Sequence, residues 1–412
     1  MSWLIIADDL SGAADCAIGF AAQGARTVVT LDPSADADIA ADVVAADVDS
    51  RRLAPRDAAA RNLDAWRCGT APGRRLYKKI DSTLRGNWAA ETAALQPVAG
   101  LAIVAPAFPA TGRATRDGRM YVNGQPLEDT DIWRLEGLTG VADMAALLEA
   151  QGLRTARIAL PTLRDGVAAV QAQLSTTLAE GHQAVVCDAE SDDDLATLAQ
   201  ASATLAAPVF WVGSGGLARA LASAMPVDRT HAPATRPTYH GGPVLTLVGS
   251  MSGVSGKQAE QLCRRAGIDA LVVPPQALRD GAGHPAWIAT QQHLAAQLTA
   301  GRDLLVSIGR DDAFDPAEGP ALSTALAQLV LPHFDQIGGL IATGGETARA
   351  MLAAAGIGAL TLQREVEPGV PLSASNTSPV RRVATKAGAF GSEAALWLAW
   401  QAMRQDREDR QD

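Results

Sequence analysis

Two adjacent aspartates, Asp8 and Asp9, follow a short apolar run near the beginning of the sequence. The run, residues 3–7, is typical of a buried strand, and the residues after Asp9 favour a helix. Parallel sheets bind ligands at the carboxyl ends of their strands, so both carboxylates are expected to face a ligand. Neighbouring carboxylates can bind Mg²⁺, accept a proton or hydrogen-bond to sugar hydroxyls. The structural alternative is that Asp9 or Ser11 only caps the helix.

The densest basic stretch of this acidic chain, residues 74–87, combines cations with a carboxylate and hydroxyl groups. A predicted strand leads into its candidate binding residues, which are Lys79, Asp81, Ser82 and Arg85. Lysine and arginine bind carboxylates, arginine through two parallel hydrogen bonds, while aspartate and serine suit a polyol. Arg51 also follows a predicted strand and could add a cation at the same edge of the sheet. The alternative for this stretch is a solvated charged turn before a helix.

Three glycine-rich loops follow predicted strands in the second half of the chain. They contain, in order, Ser250 and Ser252, Gly344 and Gly345, and Lys386 and Gly388. Backbone N–H groups and hydroxyls at the N-termini of helices bind phosphate oxygens. Three such loops in one half of the chain therefore indicate a site for a phosphate group or a nucleotide.

Two glycine patterns match known nucleotide-binding motifs only in part. Met251 stands where the P-loop requires a glycine, and Gln258 stands where it requires serine or threonine. Gly213, Gly215 and Ala218 fit the dinucleotide-binding pattern, but the acidic residue that should bind the ribose is misplaced. We interpret this second pattern as a tight turn between a strand and a helix.

The composition limits the classes of function that need to be considered. Of the 412 residues, 48% are apolar and 19% are charged, which is typical of a globular protein with a large core. Lysine and arginine number 35 against 45 aspartates and glutamates, and the net charge of −10 argues against general binding to nucleic acid. No apolar run reaches the roughly 18–20 residues of a membrane span, and the N-terminus does not have the pattern of a signal peptide. The four cysteines are scattered without a CxxC motif, which favours a reduced, cytoplasmic protein without a cysteine metal site.

Short apolar runs alternate with alanine- and leucine-rich helical segments along the chain. This alternation predicts an α/β fold with two domains, each a mostly parallel sheet covered by helices. A stretch rich in proline and glycine, residues 226–243, is interpreted as the linker between domains at residues 1–230 and 240–412. The active site is expected in the cleft between the two domains. Residues 121–127 predict a hairpin with an Asn-Gly turn that could serve as a lid.

Eight segments, in this order, resemble the motifs of the four-carbon acid sugar kinase family and span nearly the whole chain. They are IIADDLSGAAD, DVDSR, KKIDSTLRGN, PAFPATGRATRDG, GSGGLA, GSMSGVSGKQ, TGGETA and TKAGAFG. The resemblance implies an N-terminal substrate domain, a C-terminal nucleotide domain and ATP-dependent phosphorylation of the terminal hydroxyl of a tetronic acid. The segment KKIDSTLRGN is more similar to the D-threonate kinase branch than to the 3-oxo-tetronate kinase branch, which usually has KYCSTFDST. Other members of the family act on D-erythronate.

The resemblance also implies roles for individual residues. Substrate contacts would fall on Asp9, Arg51, Lys79, Asp81 and Ser82, and ATP contacts on Ser250, Gly344, Gly345, Glu346, Thr347 and Gly388. Arg51 and Lys79, together with Arg85, would hold the substrate carboxylate. Asp9 or Asp81 would accept the proton of the attacking hydroxyl, and we prefer Asp81 because the neighbouring cations would keep it ionised. Mg²⁺ on the ATP phosphates is expected, since phosphoryl transfer depends on positioning and charge neutralisation.

Two other classes of function stay open at this point. One is an NAD-dependent dehydrogenase that uses the glycines of residues 213–218, and the other is a sensor that binds an aldonate and a nucleotide without turnover. The expected partners are a small acid sugar and ATP, without nucleic acid or membrane. Whether the chain forms a homo-oligomer is left open.

Overall fold

The protein is described by a computed structural model, which covers residues 2–33, 39–136, 138–229, 231, 237–311, 315–388 and 390–408. The chain divides into two compact units, Met1–Ala232 and Pro233–Asp412. Each unit has a sheet flanked by helices, so the predicted α/β fold with two domains is confirmed. Part of the predicted linker, residue 230 and residues 232–236, lies outside the described residues.

The main sheet of the first unit is parallel, with the strand order β2-β3-β1-β4-β11-β5-β10-β9. Its strands are β1 Ser2–Ala7, β2 Thr27–Thr30, β3 Val43–Asp47, β4 Arg74–Lys79, β5 Leu101–Ala105, β9 Thr155–Ile158, β10 Ala184–Cys187 and β11 Val209–Gly213. A small antiparallel sheet contains β6 Arg113–Arg116, β7 Arg119–Val122 and β8 Gln125–Pro126. The turn between β7 and β8 is the predicted Asn-Gly turn, and both of its residues have positive φ.

Most helices of the first unit lie between successive strands of the parallel sheet, and α9 follows its last strand. They are α1 Leu10–Ala22, α2 Pro55–Gly69, α3 Trp88–Ala99, α4 Asp131–Leu135, α5 Met144–Glu149, α6 Leu160–Arg164, α7 Val167–Ala179, α8 Asp192–Ala203 and α9 Gly215–Ala224. The core centres on Trp3 of β1, whose ring lies 5.2 Å from that of Phe20 and 5.3 Å from that of Trp211. All three side chains are fully buried, and each contributes roughly 1.5–3 kcal/mol or more by leaving water. This packing holds α1 against the strand that carries Asp8 and Asp9.

The second unit has the strand order β13-β14-β12-β15-β18-β17-β16. Its strands are β12 Val244–Val248, β13 Asp269–Val273, β14 Leu304–Ile308, β15 Gly339–Thr343, β16 Ala359–Glu367, β17 Val370–Ser375 and β18 Arg382–Lys386. Its helices are α10 Gly253–Ala266, α11 Pro275–Asp280, α12 Pro285–Thr299, α13 Gly319–Val330, α14 Gly345–Ala354 and α15 Ala395–Glu408. Strands β12 to β15 and β18 are parallel, whereas β17 pairs antiparallel with both β16 and β18.

The antiparallel strand β17 was not predicted from the sequence. Residues 370–375 contain proline and two serines, which lower their resemblance to a strand, yet every residue of β17 is buried. Packing against the buried side chains of α15 stabilises this strand more than its own propensity does. The hairpin that it forms with β16 positions Glu367 beside the third glycine-rich loop.

Candidate active site

Three neighbouring strands of the first unit, β3, β1 and β4, end at the same level of the sheet. Ala7 at the end of β1 is in register with Asp47 of β3 and with Lys79 of β4. The turns that follow these strands contain Asp8, Asp9, Arg51, Asp81 and Ser82. The parallel register therefore brings the substrate residues predicted from separate motifs to one edge of one sheet.

Arg51 is bound by carboxylates from two neighbouring turns. Its Nε and Nη2 donate to the two oxygens of Asp8 at 2.6 and 3.0 Å. Its Nη2 also lies 2.9 Å from Asp9 Oδ1 and 3.7 Å from Asp81 Oδ2. Burial alone would lower the pKa of Arg51, but Asp8 and Asp9 raise it well above its usual range. The guanidinium is thus a fixed positive charge at the centre of three carboxylates.

Asp8 is the member of this cluster to which the sequence assigned no committed role. It is 3% exposed, and its two oxygens both accept hydrogen bonds from Arg51. Burial would raise its pKa, but Arg51 and Lys79 lower it, so Asp8 is ionised. This bidentate pair fixes the plane of the guanidinium. In the sequence, the feature that could have indicated a role for Asp8 is its position beside Asp9, directly after β1.

Asp81 uses both of its carboxylate oxygens within its own turn. Oδ1 accepts from the Thr83 backbone N–H at 2.7 Å and from the Thr83 hydroxyl, and Oδ2 is 2.5 Å from Arg85 Nη2. Burial would raise the pKa of Asp81, but Arg85 and Arg51 lower it well below its usual range. Asp81 is therefore ionised, as expected, but both of its oxygens already accept hydrogen bonds from residues of the same turn.

Asp9 caps α1, because its Oδ1 accepts from the Gly12 backbone N–H at 3.0 Å. The same oxygen faces Arg51. In the described part of the chain, Asp9 Oδ2 has no hydrogen-bond partner, and the side chain is 23% exposed. Asp9 can therefore cap the helix and bind a ligand at the same time, since Oδ1 accepts from the helix and Oδ2 is available to a ligand.

Lys79 ends β4 between these carboxylates and is 5% exposed. Burial would lower the pKa of its ammonium, but Asp9 and Asp8 raise it. A side chain at Gly12 would collide with Lys79 Nζ, so the ammonium lies against the first turn of α1. Ser82 is nine-tenths buried in the following turn. Arg85 is committed to Asp81, whereas Lys79 forms no ion pair within 4.0 Å among the residues that the structure covers.

A buried ion pair lies beneath this edge and was not foreseen. Lys78 Nζ and Glu91 Oε2 are 2.9 Å apart, and both side chains are inaccessible to solvent. Glu91 Oε1 accepts from Ser50 Oγ at 2.5 Å, and Asn87 donates to the Ser50 carbonyl at 3.2 Å. These contacts fix the backbone of the residue directly before Arg51. A buried pair adds little net stability, so positioning of this turn explains its presence better.

Arg113 at the beginning of β6 is half-buried rather than exposed. Its Nη1 donates to the Thr111 carbonyl, and burial lowers its pKa while Asp81 opposes the shift. The small sheet therefore carries a cation whose charge is felt by the Asp81 turn.

The second unit repeats the arrangement of strands that end together. Val248 of β12 is in register with Thr343 of β15, and Thr343 is in register with Lys386 of β18. The three glycine-rich loops follow these three strand ends. The loops predicted separately are therefore neighbours at one edge of the second sheet.

The Gly388 carbonyl joins two of these loops. It accepts from Ser252 Oγ at 3.1 Å, from Ser255 Oγ at 2.6 Å and from Lys386 Nζ at 2.9 Å. Ser252 also caps α10 by accepting from the Ser255 backbone N–H. A Cβ atom at Gly388 would collide with Ser250 Oγ, which shows how closely the first and third loops approach. Ser252 and Lys386 thus stabilise the loops through hydrogen bonds to the Gly388 carbonyl.

The second loop leads into the N-terminus of α14. Gly344 caps this helix with φ of +98°, a value that favours glycine, and as a glycine it forms no side-chain cap. The first turn includes Gly345 and Glu346, both partly accessible. Thr347 is 2% exposed and its hydroxyl is 3.0 Å from Ser323 Oγ, so this hydroxyl faces the protein interior.

The surroundings of Lys257 and Gly216 differ from those expected in a P-loop and in a dinucleotide-binding motif. Lys257 is 69% exposed and its Nζ lies 3.6 Å from Glu393 Oε1 at the surface. Ser214 caps α9, and a Cβ atom at Gly216 would lie 2.6 Å from the Ala107 carbonyl oxygen. The glycines after β11 are therefore explained by a tight turn packed against the segment after β5.

No helix in the covered ranges is long and apolar enough to cross a membrane. No group of three or more histidine, cysteine, aspartate or glutamate side chains is arranged to hold a metal ion in those ranges.

Comparison with known proteins agrees with this architecture. Residues 3–221 match the sugar-binding N-terminal domain family, and residues 245–396 match the nucleotide-binding C-terminal domain family. The chain is 68% identical to the D-threonate kinase of Cupriavidus necator over 412 residues, which is 99% of both chains. It is 32% identical to the D-threonate kinase of Salmonella typhimurium, over 96% of this chain and 97% of that one. A solved structure from Salmonella typhimurium LT2, 24% identical, aligns with a TM-score of 0.81 over 98% of this chain and 99% of its own, which shows the shared fold.

Both domain families match in the order in which the two units occur, and the similarity to named kinases extends over the full length. Because the first match covers the sheet edge and the second covers the three loops, this chain belongs to the four-carbon acid sugar kinase family.

Proposed function

We propose that this protein is a D-threonate kinase, which transfers the γ-phosphoryl group of ATP to the 4-hydroxyl of D-threonate. The observation that carries the proposal is the 68% identity with the Cupriavidus necator D-threonate kinase over 99% of both chains. A 3-oxo-tetronate kinase of Burkholderia multivorans is 29% identical, and a D-erythronate kinase of Heliobacterium modesticaldum aligns over 62% of this chain. These two substrates are the alternatives within the family.

The substrate is assigned to the edge of the first sheet. Lys79 is a buried cation that no carboxylate of the described residues pairs within ion-pair distance, so we assign it to the substrate carboxylate. Arg51 assists from its pair with Asp8, and Ser82 is placed to hydrogen-bond a hydroxyl. Arg85, which we expected to touch substrate, acts in this proposal by holding Asp81 in place.

The proton of the attacking hydroxyl is assigned to Asp9. A general base needs a lone pair within reach of the hydroxyl, and Asp9 Oδ2 has one to offer. Both oxygens of Asp81 accept hydrogen bonds, from Thr83 and from Arg85, and Arg85 and Arg51 hold its pKa well below its usual range, which disfavours proton transfer to it. This assignment reverses our preference from the sequence, which could not show how the lone pairs of Asp81 are used.

ATP is assigned to the loops of the second unit. The first turn of α14, which begins after the glycine N-cap Gly344, would present backbone N–H groups to phosphate oxygens, and Ser250 and Gly388 adjoin that turn. Mg²⁺ usually keeps its waters and binds through substrate phosphates and one or two carboxylates, so the lack of a larger ligand cluster in the described ranges fits it. Glu346 in the first turn of α14 is the carboxylate that would hold it. Bound there, Mg²⁺ would neutralise charge on the phosphates.

An ADP-release assay across tetronates tests the proposal. Purified protein with ATP and Mg²⁺ is given D-threonate, D-erythronate, a 3-oxo-tetronate or glycerate in turn. We expect the largest kcat/KM with D-threonate. A larger value with another of these acids would reassign the substrate, and ADP release independent of any acid would contradict a sugar acid kinase.

Substitution of Gly388 by alanine is expected to weaken ATP binding selectively. The new methyl group would displace Ser250, and the loss of about one hydrogen bond to the phosphates, about 1.4 kcal/mol, raises the KM for ATP about tenfold. The KM for D-threonate should be unchanged. Gly256→Ala is the control, since a Cβ atom there meets no atom within 4 Å. Equal effects of the two substitutions would remove Gly388 from the site.

The pH dependence of kcat/KM for ATP should report the protonation state of Lys386. Burial lowers the pKa of Lys386 to about 8, so its ammonium loses the proton as the pH rises through that value. Because phosphates favour the charged form, kcat/KM for ATP is expected to fall above pH 8. The Lys386→Arg enzyme keeps its charge and should lack this decrease. A wild-type profile that stays flat through pH 8–10 would contradict the assignment.

A further inference from the structure

Gln258 of α10 stands at the position where a P-loop has its serine or threonine, and the proposed ATP site gives it no direct role. Its side chain is fully buried. Its Nε2, with two hydrogens to share, lies within hydrogen-bond distance of three successive backbone carbonyls, those of Phe390 at 3.1 Å, Gly391 at 3.4 Å and Ser392 at 2.8 Å. One side chain thus binds three consecutive peptide groups of the segment that continues the third glycine-rich loop.

The other end of this segment is held from the surface. Ser392 donates through its backbone N–H and its hydroxyl to the two oxygens of Glu367, at 2.8 and 2.7 Å. On the inner side, the Gly388 carbonyl is held by Ser252, Ser255 and Lys386. Gln258, which is fully buried, binds the segment between the Glu367 contacts on one side and the Gly388 contacts on the other.

We propose that Gln258 is a positioning residue of the ATP site. By binding the carbonyls of residues 390–392, it holds the third loop against the first, so that Gly388 stays next to Ser250. It does this through the loop and without contact to the nucleotide. The inference rests on the proposed assignment of ATP to these loops.

The chemistry of an amide suits this position and that of a carboxylate does not. An amide nitrogen has two hydrogens to donate, whereas an ionised carboxylate only accepts. Gln258→Glu would therefore place a buried negative charge against three carbonyl oxygens. Protonation of that carboxyl restores one donor, so the defect of Gln258→Glu is expected to lessen as the pH falls.

Binding of ADP with Mg²⁺ to the full chain, measured by calorimetry, tests the inference. Gln258→Met removes the donors at similar volume and is expected to weaken ADP binding roughly tenfold or more, because three carbonyls lose their partner. The KM for D-threonate should stay within about twofold of the wild type, as expected for a site on other residues. Gln258→Glu should bind ADP less tightly still at pH 8, and more tightly at pH 6 than at pH 8.

A matched control is Gln291→Met, because Gln291 of α12 also donates to a backbone carbonyl, that of Leu329 at 3.2 Å. This variant is expected to bind ADP as the wild type does. The inference is overturned if Gln258→Met binds ADP with wild-type affinity, or if it weakens both ligands equally together with a lower melting temperature. A wild-type protein that binds no ADP would instead overturn the proposed function.

Discussion

Replacement of Asp9 by asparagine is expected to lower kcat by roughly 10²–10⁴-fold, the range that a positioned general base contributes. Asparagine keeps the size of the side chain and caps helices as well as aspartate does, so α1 should remain intact. What it loses is the basic Oδ2, the oxygen without a partner in the described residues. Steady-state kinetics with saturating ATP measures the effect.

The control for this substitution is Asp143→Asn, since Asp143 caps α5 through the Ala146 backbone N–H at 3.1 Å. It should leave kcat unchanged. Asp81→Asn is expected to raise the KM for D-threonate and to lower kcat less than Asp9→Asn does, because Asp81 orients Arg85 and Arg51. The opposite ranking of the two kcat values would return the role of the base to Asp81.

Replacement of Lys79 by methionine is expected to reduce kcat/KM for D-threonate by the equivalent of roughly 2–5 kcal/mol, the cost of removing one partner of a desolvated charge pair. The substitution removes the ammonium but keeps most of the buried aliphatic chain. It also leaves Asp8 and Asp9 with one cation fewer, which raises the loss. The KM for ATP should change little.

Lys257→Met serves as the matched control, because it exchanges the same two residue types at a surface pair with Glu393. An exposed pair contributes under about 1 kcal/mol, so this enzyme should behave as the wild type. If Lys79→Met is equally mild, the substrate carboxylate must bind elsewhere, for example at Arg51, Arg85 or Arg113.

Much of the edge of the first sheet could be predicted because its residues follow buried strands. Each apolar run marks where a parallel strand ends, and parallel strands end together, so Asp9, Arg51 and Asp81 could be grouped from widely separated motifs. The same reasoning grouped the loops after Val248 and Thr343. The full-length resemblance then supplied the reaction, which the spacing of the residues alone does not specify.

The pairing of side chains could not be predicted in the same way. The sequence shows that Asp81 lies near cations, but only the fold shows that Thr83 and Arg85 occupy both of its oxygens. The roles of Glu91 and Gln258 depend on long-range contacts, to Ser50 and to residues 390–392, that no local pattern encodes. Strand β17 could not be predicted for a related reason, since its burial depends on packing against α15, which follows it in the chain.

Transfer of a phosphoryl group from ATP to the C4 hydroxyl of D-threonate is tested most directly by a proton-coupled phosphorus NMR spectrum of the product. A phosphate ester at C4 is attached to a CH₂ group, so its signal is predicted to split into a triplet. A doublet would place the phosphate on C2 or C3, and free phosphate without an ester signal would mean hydrolysis of ATP. Either of these results would contradict the account.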